Sequence, residues 1–191
     1  MVGERLADPG SRVRRRRDSS GGLGSVSGCS VTKRELIVID GRSGSGKTEW
    51  ARALATELGF EVVSLDEVYP GWDGLDAGQA LIARKLLPQW VEHGEVSVPQ
   101  WNWSTMSYTS ARRVFSPRGL IVEGCGALSA RTVRLATRTV WLDTPEHERF
   151  RRAIARDGDS YRLQWTRWAR QEERFITLHR CPELAEERVK N

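Results

Sequence analysis

The residues with the clearest chemical capacity are Gly41-Arg42-Ser43-Gly44-Ser45-Gly46-Lys47-Thr48, which fit the pattern G-x-x-x-x-G-K-[ST]. Glycines at this spacing let consecutive backbone N–H groups converge on phosphate oxygens with no Cβ in the way. A helix that begins at the last glycine adds its free N–H groups and the positive end of its dipole. The expected phosphate cradle for ATP is therefore Gly41, Ser43, Gly44, Ser45, Gly46 and Lys47. The Lys47 ammonium falls on the two outer phosphates, and the Thr48 hydroxyl is the expected Mg²⁺ ligand.

Moving a phosphoryl group requires more than a cradle: a carboxylate that takes the acceptor's proton, metal support and cations on the transferring group. Asp66 is the expected base and Glu123 the metal-side carboxylate, acting directly or through water. Arg149, Arg152 and Arg156 stand at i, i+3 and i+7, which puts them along one helical face that can present guanidinium groups to phosphate.

These residues need particular elements beneath them. Leu36–Ile39 reads as a buried strand ahead of the loop. Trp50, Ala53, Leu54 and Leu58 follow at helical spacing, and Gly59 ends the pattern. Phe60–Leu65 alternates and stops at Asp66. Leu120–Gly124 is an apolar run closing on Glu123, and Thr139–Asp143 is a further strand. Strands alternating with helices predict an α/β protein: a three-layer P-loop NTPase fold, its parallel sheet flanked by helices. In such sheets ligands lie beyond the carboxyl ends of the strands, where the loop, Asp66 and Glu123 all fall.

Elsewhere, residues 76–93 are helical in pattern, disturbed at Pro88. Glu95–Val98 is extended, and Pro99–Arg113 is a polar, tryptophan-rich connection. Residues 129–136 read as a short helix. Thr144-Pro145-Glu146 predicts a helix start with Thr144 as cap and Pro145 first. Asp157-Gly158-Asp159 breaks that helix and forms the hinge of a short helical lid. Residues 160–178 resume with Leu163, Trp168 and Phe175 on one side. Glu183–Asn191 is highly charged and lacks a strand pattern.

Composition narrows the class. The 191 residues suit one domain, over 34–191, behind a basic tail over 1–33 that is expected to be disordered. The net charge of +5 sits entirely in residues 1–34, leaving the rest balanced. Nucleic acid is therefore not an expected partner of the domain, although the Arg14–Arg17 run could touch RNA or acidic surfaces. No apolar run approaches the ~20 residues of a membrane span. Cys29, Cys125 and Cys181 share no metal-type spacing, which favours reduced thiols and a cytoplasmic setting. His93, His147 and His179 are too scattered to form a zinc set.

A resemblance adds detail. Asp66-Glu67-Val68-Tyr69 resembles the D-x-F-Y segment of the uridine kinase family, in which the Asp is the acceptor's base. Glu123-Gly124 is similar to that family's E-G strand end. Val140–Asp157, with Asp143-Thr144, Arg149, Arg151-Arg152 and Arg156-Asp157, resembles its lid segment. The resemblance covers roughly residues 35–160. It implies an ATP- and Mg²⁺-dependent kinase with a small, nucleoside-like acceptor near Asp66, Tyr69, Trp101 and Asn102; Arg112 is a further candidate contact for the acceptor. The family's P-x-Y-D stretch reads Pro99-Gln100-Trp101-Asn102 here, so an amide replaces the acid that meets a ribose hydroxyl. Trp101 and Trp103 lie in this stretch and could stack on a base or sugar, whereas Trp165 and Trp168 have the spacing of packing residues. A nucleotide, coenzyme-precursor or sugar-acid kinase of the same fold stays open, as does an ATP-binding regulatory module.

Overall fold

A computed structural model describes residues 34–191 of the chain. The tail expected over 1–33 lies outside the described residues. In chain order the strands are β1 (Glu35–Gly41), β2 (Glu61–Ser64), β3 (Glu95–Val98), β4 (Trp101–Asn102), β5 (Ser107–Tyr108), β6 (Arg112–Phe115), β7 (Gly119–Glu123), β8 (Arg138–Asp143) and β9 (Glu187–Lys190). The helices are α1 (Lys47–Leu58), α2 (Leu75–Leu81), α3 (Leu87–His93), α4 (Ala130–Val133), α5 (Glu146–His179) and α6 (Cys181–Leu184).

Five strands form a parallel sheet in the order β2-β7-β1-β8-β9. β1 and β7 are central, and both faces of their apolar runs are covered, the usual arrangement of parallel sheets. On one face Ile37, Ile39, Ile121, Val140 and Leu142 pack with Trp50, Leu54 and Leu58 of α1. On the other, Leu36, Val38, Leu120 and Val122 share a core with Trp90 of α3 and with Trp168 and Phe175 of α5. The result is the expected three-layer α/β fold.

Several local expectations need correction. Ala53 is exposed, and Ala51 takes its place in the core. The 76–93 helix is two helices joined by one π-helical turn, Ile82–Leu86. Pro88 lies in the first turn of α3, where a missing N–H does least harm. Pro99–Arg113 is not featureless: β4 and β5 make a small hairpin, and β6 pairs antiparallel with β3. Thr144 does not cap α5; Pro145 precedes its first residue, and the Thr144 hydroxyl donates instead to the Ser45 carbonyl. Leu163 is 81% exposed, whereas Tyr161, Trp168 and Phe175 are buried. Those three are seven residues apart, so they share a face that Leu163 misses by more than a quarter turn.

Gly158 kinks α5 with φ 74°, a backbone region that side chains avoid, and a Cβ there would meet open space. The charged C-terminal stretch supplies β9, the polar edge strand beside β8. Arg138 and Glu187 pair across it, Nε to Oε1 at 2.6 Å. An edge strand protected by charge carries little hydrophobic signal, which is why the sequence pattern passes over it.

Candidate active site

The glycine-rich loop links β1 to α1. Gly46 precedes the helix with φ 89°, and no side chain caps α1, so its first N–H groups stay available to an anion. Gly44, at φ 78°, lies so close to the Arg149 backbone that a Cβ there would collide with it. Lys47 is buried; its Nζ donates to the Arg42 carbonyl at 3.1 Å and lies 3.6 Å from Cys125 Sγ. Burial lowers its pKa, and Cys125, Glu123, Glu172 and Asp40 around it raise it by more, so the ammonium is held charged.

Strand register brings the two acids together. Glu123, at the end of β7, sits opposite Ile39 of β1 and Ser64 of β2. Asp66 follows two residues later, in a single 3₁₀ turn over Leu65–Glu67. The Ser64 side chain and Glu67 form a capping box that fixes this turn. Thr48 Oγ1 donates to Glu123 Oε1 at 3.3 Å. Glu123 is only 2% exposed, whereas Asp66 opens into the cleft. Desolvation raises both carboxyls, Glu123 by its own burial and Asp66 by the cleft walls packed around its open side chain; the Asp66 charge raises Glu123 further, and Lys47 pulls both back. Among the described residues no group of three or more His, Cys, Asp or Glu forms a metal cage. Mg²⁺ bound through phosphates needs only one or two protein oxygens, and crowded acids beside a hydroxyl offer them.

Two cavities flank the loop. One of about 410 Å³ runs along Gly44, Gly46 and Lys47 to Arg152 and Asn191. The other, about 620 Å³, is walled by Ser64, Asp66, Trp72, Trp103, Tyr161 and Asp157. Thr48, Glu49 and Arg156 border both. The arginine stripe is thereby divided. Arg152 and Arg156 face the cavities, with Arg152 Nε also donating to Glu148 and Arg156 paired with Asp157. Arg149 is buried where α5 meets the loop: Nε donates to the Thr144 carbonyl at 3.1 Å, Nη1 to the Ser43 carbonyl at 3.2 Å, and its guanidinium covers Trp165. Its position suits shaping the loop rather than touching phosphate.

The residues carried over for the acceptor lie mostly off the cleft. Tyr69 is fully buried; its hydroxyl donates to the Cys125 carbonyl at 2.6 Å and its ring meets Trp168. Trp101 packs edge-on against Tyr108. Asn102 Oδ1 accepts the N–H groups of Ser104 and Thr105, locking the β4–β5 turn. Arg112 forms a fork on Glu67, Nη2 to Oε1 at 2.9 Å. Trp103 does reach the cleft, and its Nε1 donates to the Asp66 carbonyl at 3.0 Å. Trp168 is buried as its spacing predicts, though one edge borders the larger cavity.

Two acids near the loop escape sequence reasoning. Glu172 is 2% exposed, and its Oε1 accepts the Ser43 N–H at 2.7 Å. Gln171 beside it donates to the Trp72 carbonyl at 2.6 Å, so α5 ties the phosphate loop to the far wall of the cleft. Glu172→Ala leaves a loop donor without a partner. The expected cost is about 1–3 kcal/mol of stability together with weaker nucleotide binding, while Glu172→Gln, which keeps an acceptor oxygen, loses far less. Urea midpoints and ATP titrations of the two variants check this.

Asp40, 1% exposed, accepts N–H groups from Gly41, Gly126 and Leu128 and so holds the ends of β1 and β7 together. Burial pushes its carboxyl from 3.8 up to about 7, against those N–H groups and Lys47. A raised carboxyl binds its proton more tightly in the folded chain. Its contribution to stability is therefore complete below pH 3.8 and disappears as pH rises through about 7. Asp40→Asn should flatten the decline in melting temperature between pH 5 and pH 8, measured by thermal denaturation at several pH values.

No protein-family model matches the chain, and no curated protein matches it. Solved structures do. A possible uridine kinase from Bacillus stearothermophilus is 18% identical with TM-score 0.58, over 83% of this chain and 89% of that one. Shikimate kinase from Acinetobacter baumannii, in complex with shikimate, is 18% identical with TM-score 0.50, over 83% and 84%. With its five-stranded parallel sheet and glycine-rich loop, the chain has the fold of the P-loop small-molecule kinases.

Proposed function

We propose that the protein is a kinase that moves the γ-phosphate of ATP to a hydroxyl of a small, nucleoside-like molecule. The observation that carries this reading is the meeting of the two cavities at Thr48 and Arg156, with Asp66 on the far side. A triphosphate laid along the loop amides would present its last phosphate at that junction, and an acceptor in the larger cavity would face it from Asp66.

In this scheme Lys47 and the loop amides other than those of Gly41 and Ser43, which Asp40 and Glu172 already hold, bind the phosphates, Asp66 orients the hydroxyl and takes its proton, and Arg152 and Arg156 stabilise charge on the transferring group. Arg149 and Glu172 keep the loop in shape from behind. Thr48 and Glu123 would hold Mg²⁺, which when bound neutralises charge on the phosphate oxygens. Placing the kinase in the cytoplasm accords with the cysteine content, and no helix among the described residues is long and apolar enough to cross a membrane.

The test is acceptor-dependent release of ADP from MgATP across nucleosides, nucleotides, sugar acids and coenzyme precursors. Release stimulated by a nucleoside supports the reading, release stimulated by a different metabolite moves the acceptor class, and ATP binding with no acceptor-dependent release under any condition overturns it.

A further inference from the structure

The candidate base stands on a soft foundation. β2 is an edge strand of the sheet, hydrogen-bonded to β7 on one side only. The element that follows it and carries Asp66 is a single 3₁₀ turn, closed by the Val68 N–H on the Leu65 carbonyl at 2.9 Å. One such turn holds its own shape poorly. A catalytic group misplaced by about 1 Å costs about a hundred-fold in rate. The stiffness that Asp66 needs therefore has to come from outside the turn.

One segment supplies it. Gln100, Trp103, Tyr108 and Arg112 each donate a side-chain hydrogen bond to residues 62–68. Trp103 Nε1 reaches the Asp66 carbonyl at 3.0 Å, and the Tyr108 hydroxyl reaches the Val68 carbonyl at 2.8 Å. Arg112 Nη2 donates to the Val62 carbonyl at 3.0 Å, further back along β2. Glu67 gathers the rest. Its Oε2 accepts from Gln100 at 2.6 Å and from Arg112 Nε at 3.2 Å. Its Oε1 accepts from Arg112 Nη2 at 2.9 Å and from the Ser64 N–H at 3.2 Å. Glu67 reaches the wall of the larger cavity, yet both of its oxygens are engaged, and none of these bonds uses the Asp66 carboxylate.

We propose that Glu67 and Arg112 are positioning residues for Asp66. Their fork fastens residues 100–112 across the turn as a fixed strap, and the strap aims the Asp66 carboxylate at the acceptor hydroxyl. Arg112 thus acts through Asp66 and does not touch the acceptor. A guanidinium suits this task, because its parallel N–H groups fix a carboxylate in angle as well as in distance. Trp103 and Tyr108 extend the same strap onto the backbone at the base and two residues beyond it. The catalytic half of this inference rests on the kinase reading; the mechanical half, that the strap stiffens the turn, stands without it.

The experiment uses the full chain and the variants Arg112→Met and Arg112→Lys, each in the wild-type and Asp66→Asn backgrounds. Turnover is read as ADP release from MgATP with uridine, adenosine, shikimate or gluconate, whichever gives the highest wild-type rate. Stiffness is read as amide hydrogen exchange in the peptide covering 64–69. Arg112→Met should lower kcat about ten- to hundred-fold and change the KM of ATP and of the acceptor by less than about three-fold. Arg112→Lys, which keeps the charge but not the fork, should recover part of that loss. In the Asp66→Asn background Arg112→Met should cost less than about two-fold more, because the carboxylate it aims is gone. Exchange over 64–69 should quicken about ten-fold in Arg112→Met, while the peptide covering 41–48 keeps its wild-type rate.

An unchanged kcat in Arg112→Met overturns the inference. So does an equal loss in both backgrounds, which would mean a contact with the acceptor or general damage to the fold. A rise in the acceptor KM alone returns Arg112 to the acceptor, with the same consequence. Should Arg112→Met fail to fold, Arg112→Lys carries the same comparison: a loss that vanishes in Asp66→Asn supports the strap, and one that persists removes it. If no acceptor releases ADP in the wild type, the kinase reading falls and exchange alone judges the strap. Faster exchange confined to 64–69 keeps it, and unchanged exchange removes it.

Discussion

Asp66→Asn is expected to lower phosphoryl transfer by about 10²–10⁴-fold while ATP still binds within roughly three-fold of the wild-type affinity. The asparagine keeps the size and one acceptor oxygen but cannot take a proton. The turn beneath it should survive, because Leu65–Glu67 is fixed by the Ser64 and Glu67 cap and by Trp103 on the Asp66 carbonyl, none of which uses the Asp66 side chain. The wild-type pH profile gives a second readout. Although the Asp66 side chain opens into the cleft, desolvation by the surrounding walls raises its carboxyl above the ordinary range against Lys47 and Arg156, so the base is lost as pH falls at a higher pH than for a solvated aspartate. The acid limb of kcat/KM should be displaced upward accordingly. Full transfer by the Asn variant, with the acid limb in place, removes Asp66 from the role of base. Transfer assays and ATP titration on one preparation separate that outcome from simple unfolding.

The second large effect belongs to Arg156. Among the three arginines of the stripe it is the one that borders both cavities, where the moving phosphoryl group would pass. Arg156→Met, which keeps the length and apolar stem, should lower kcat about 10³-fold with a much smaller change in the KM for either substrate, as for a charge that acts mainly in the transition state. Arg156→Lys should restore only part of it, since an ammonium cannot fork two oxygens. Asp157, whose carboxylate holds the guanidinium at 2.7 Å, competes with phosphate for it. A kcat unchanged in Arg156→Met would leave charge stabilisation to Lys47 and Arg152. Arg149→Met should behave differently. Its guanidinium supports the Ser43 and Thr144 carbonyls, so ATP affinity and thermal stability should fall together.

Gly158 makes such a division workable. It separates the arginine-bearing first turns of α5 from the segment anchored by Glu172 on Ser43 and by the Arg167–Asp73 and Arg174–Asp76 pairs. The anchored half holds the cleft walls together. The first half carries Arg152 and Arg156, which face the cavities, and is itself tied to the loop through Arg149, so Gly158 marks the change of direction between two separately anchored segments.

Much of this was legible in one dimension. The loop, the strands that lead to it and the acids at their ends depend on contiguous residues: apolar runs, glycine spacing and a carboxylate where a run stops. A parallel sheet then forces those strand ends to one edge, so Glu123 and the turn carrying Asp66 had to approach the loop. Residues such as Tyr69, Asn102 and Arg112 illustrate the opposite case. Tyr69 and Asn102 match functional positions by resemblance and Arg112 stands as a candidate beside them, yet a buried hydroxyl bond, a turn and an ion pair occupy them.

The chain by itself thus determined which residues could carry chemistry and the sheet edge on which they gather, because both follow from short-range pattern and the topology of parallel strands. Only the folded molecule decided which of Arg149, Arg152 and Arg156 faces a cavity, that Glu172 reaches back 129 residues to the Ser43 N–H, and that Trp72, Trp103 and Tyr161 form one wall. Helical spacing fixes the angle at which a side chain leaves its axis. What fills that angle is set by packing between segments far apart in sequence, which no local pattern encodes.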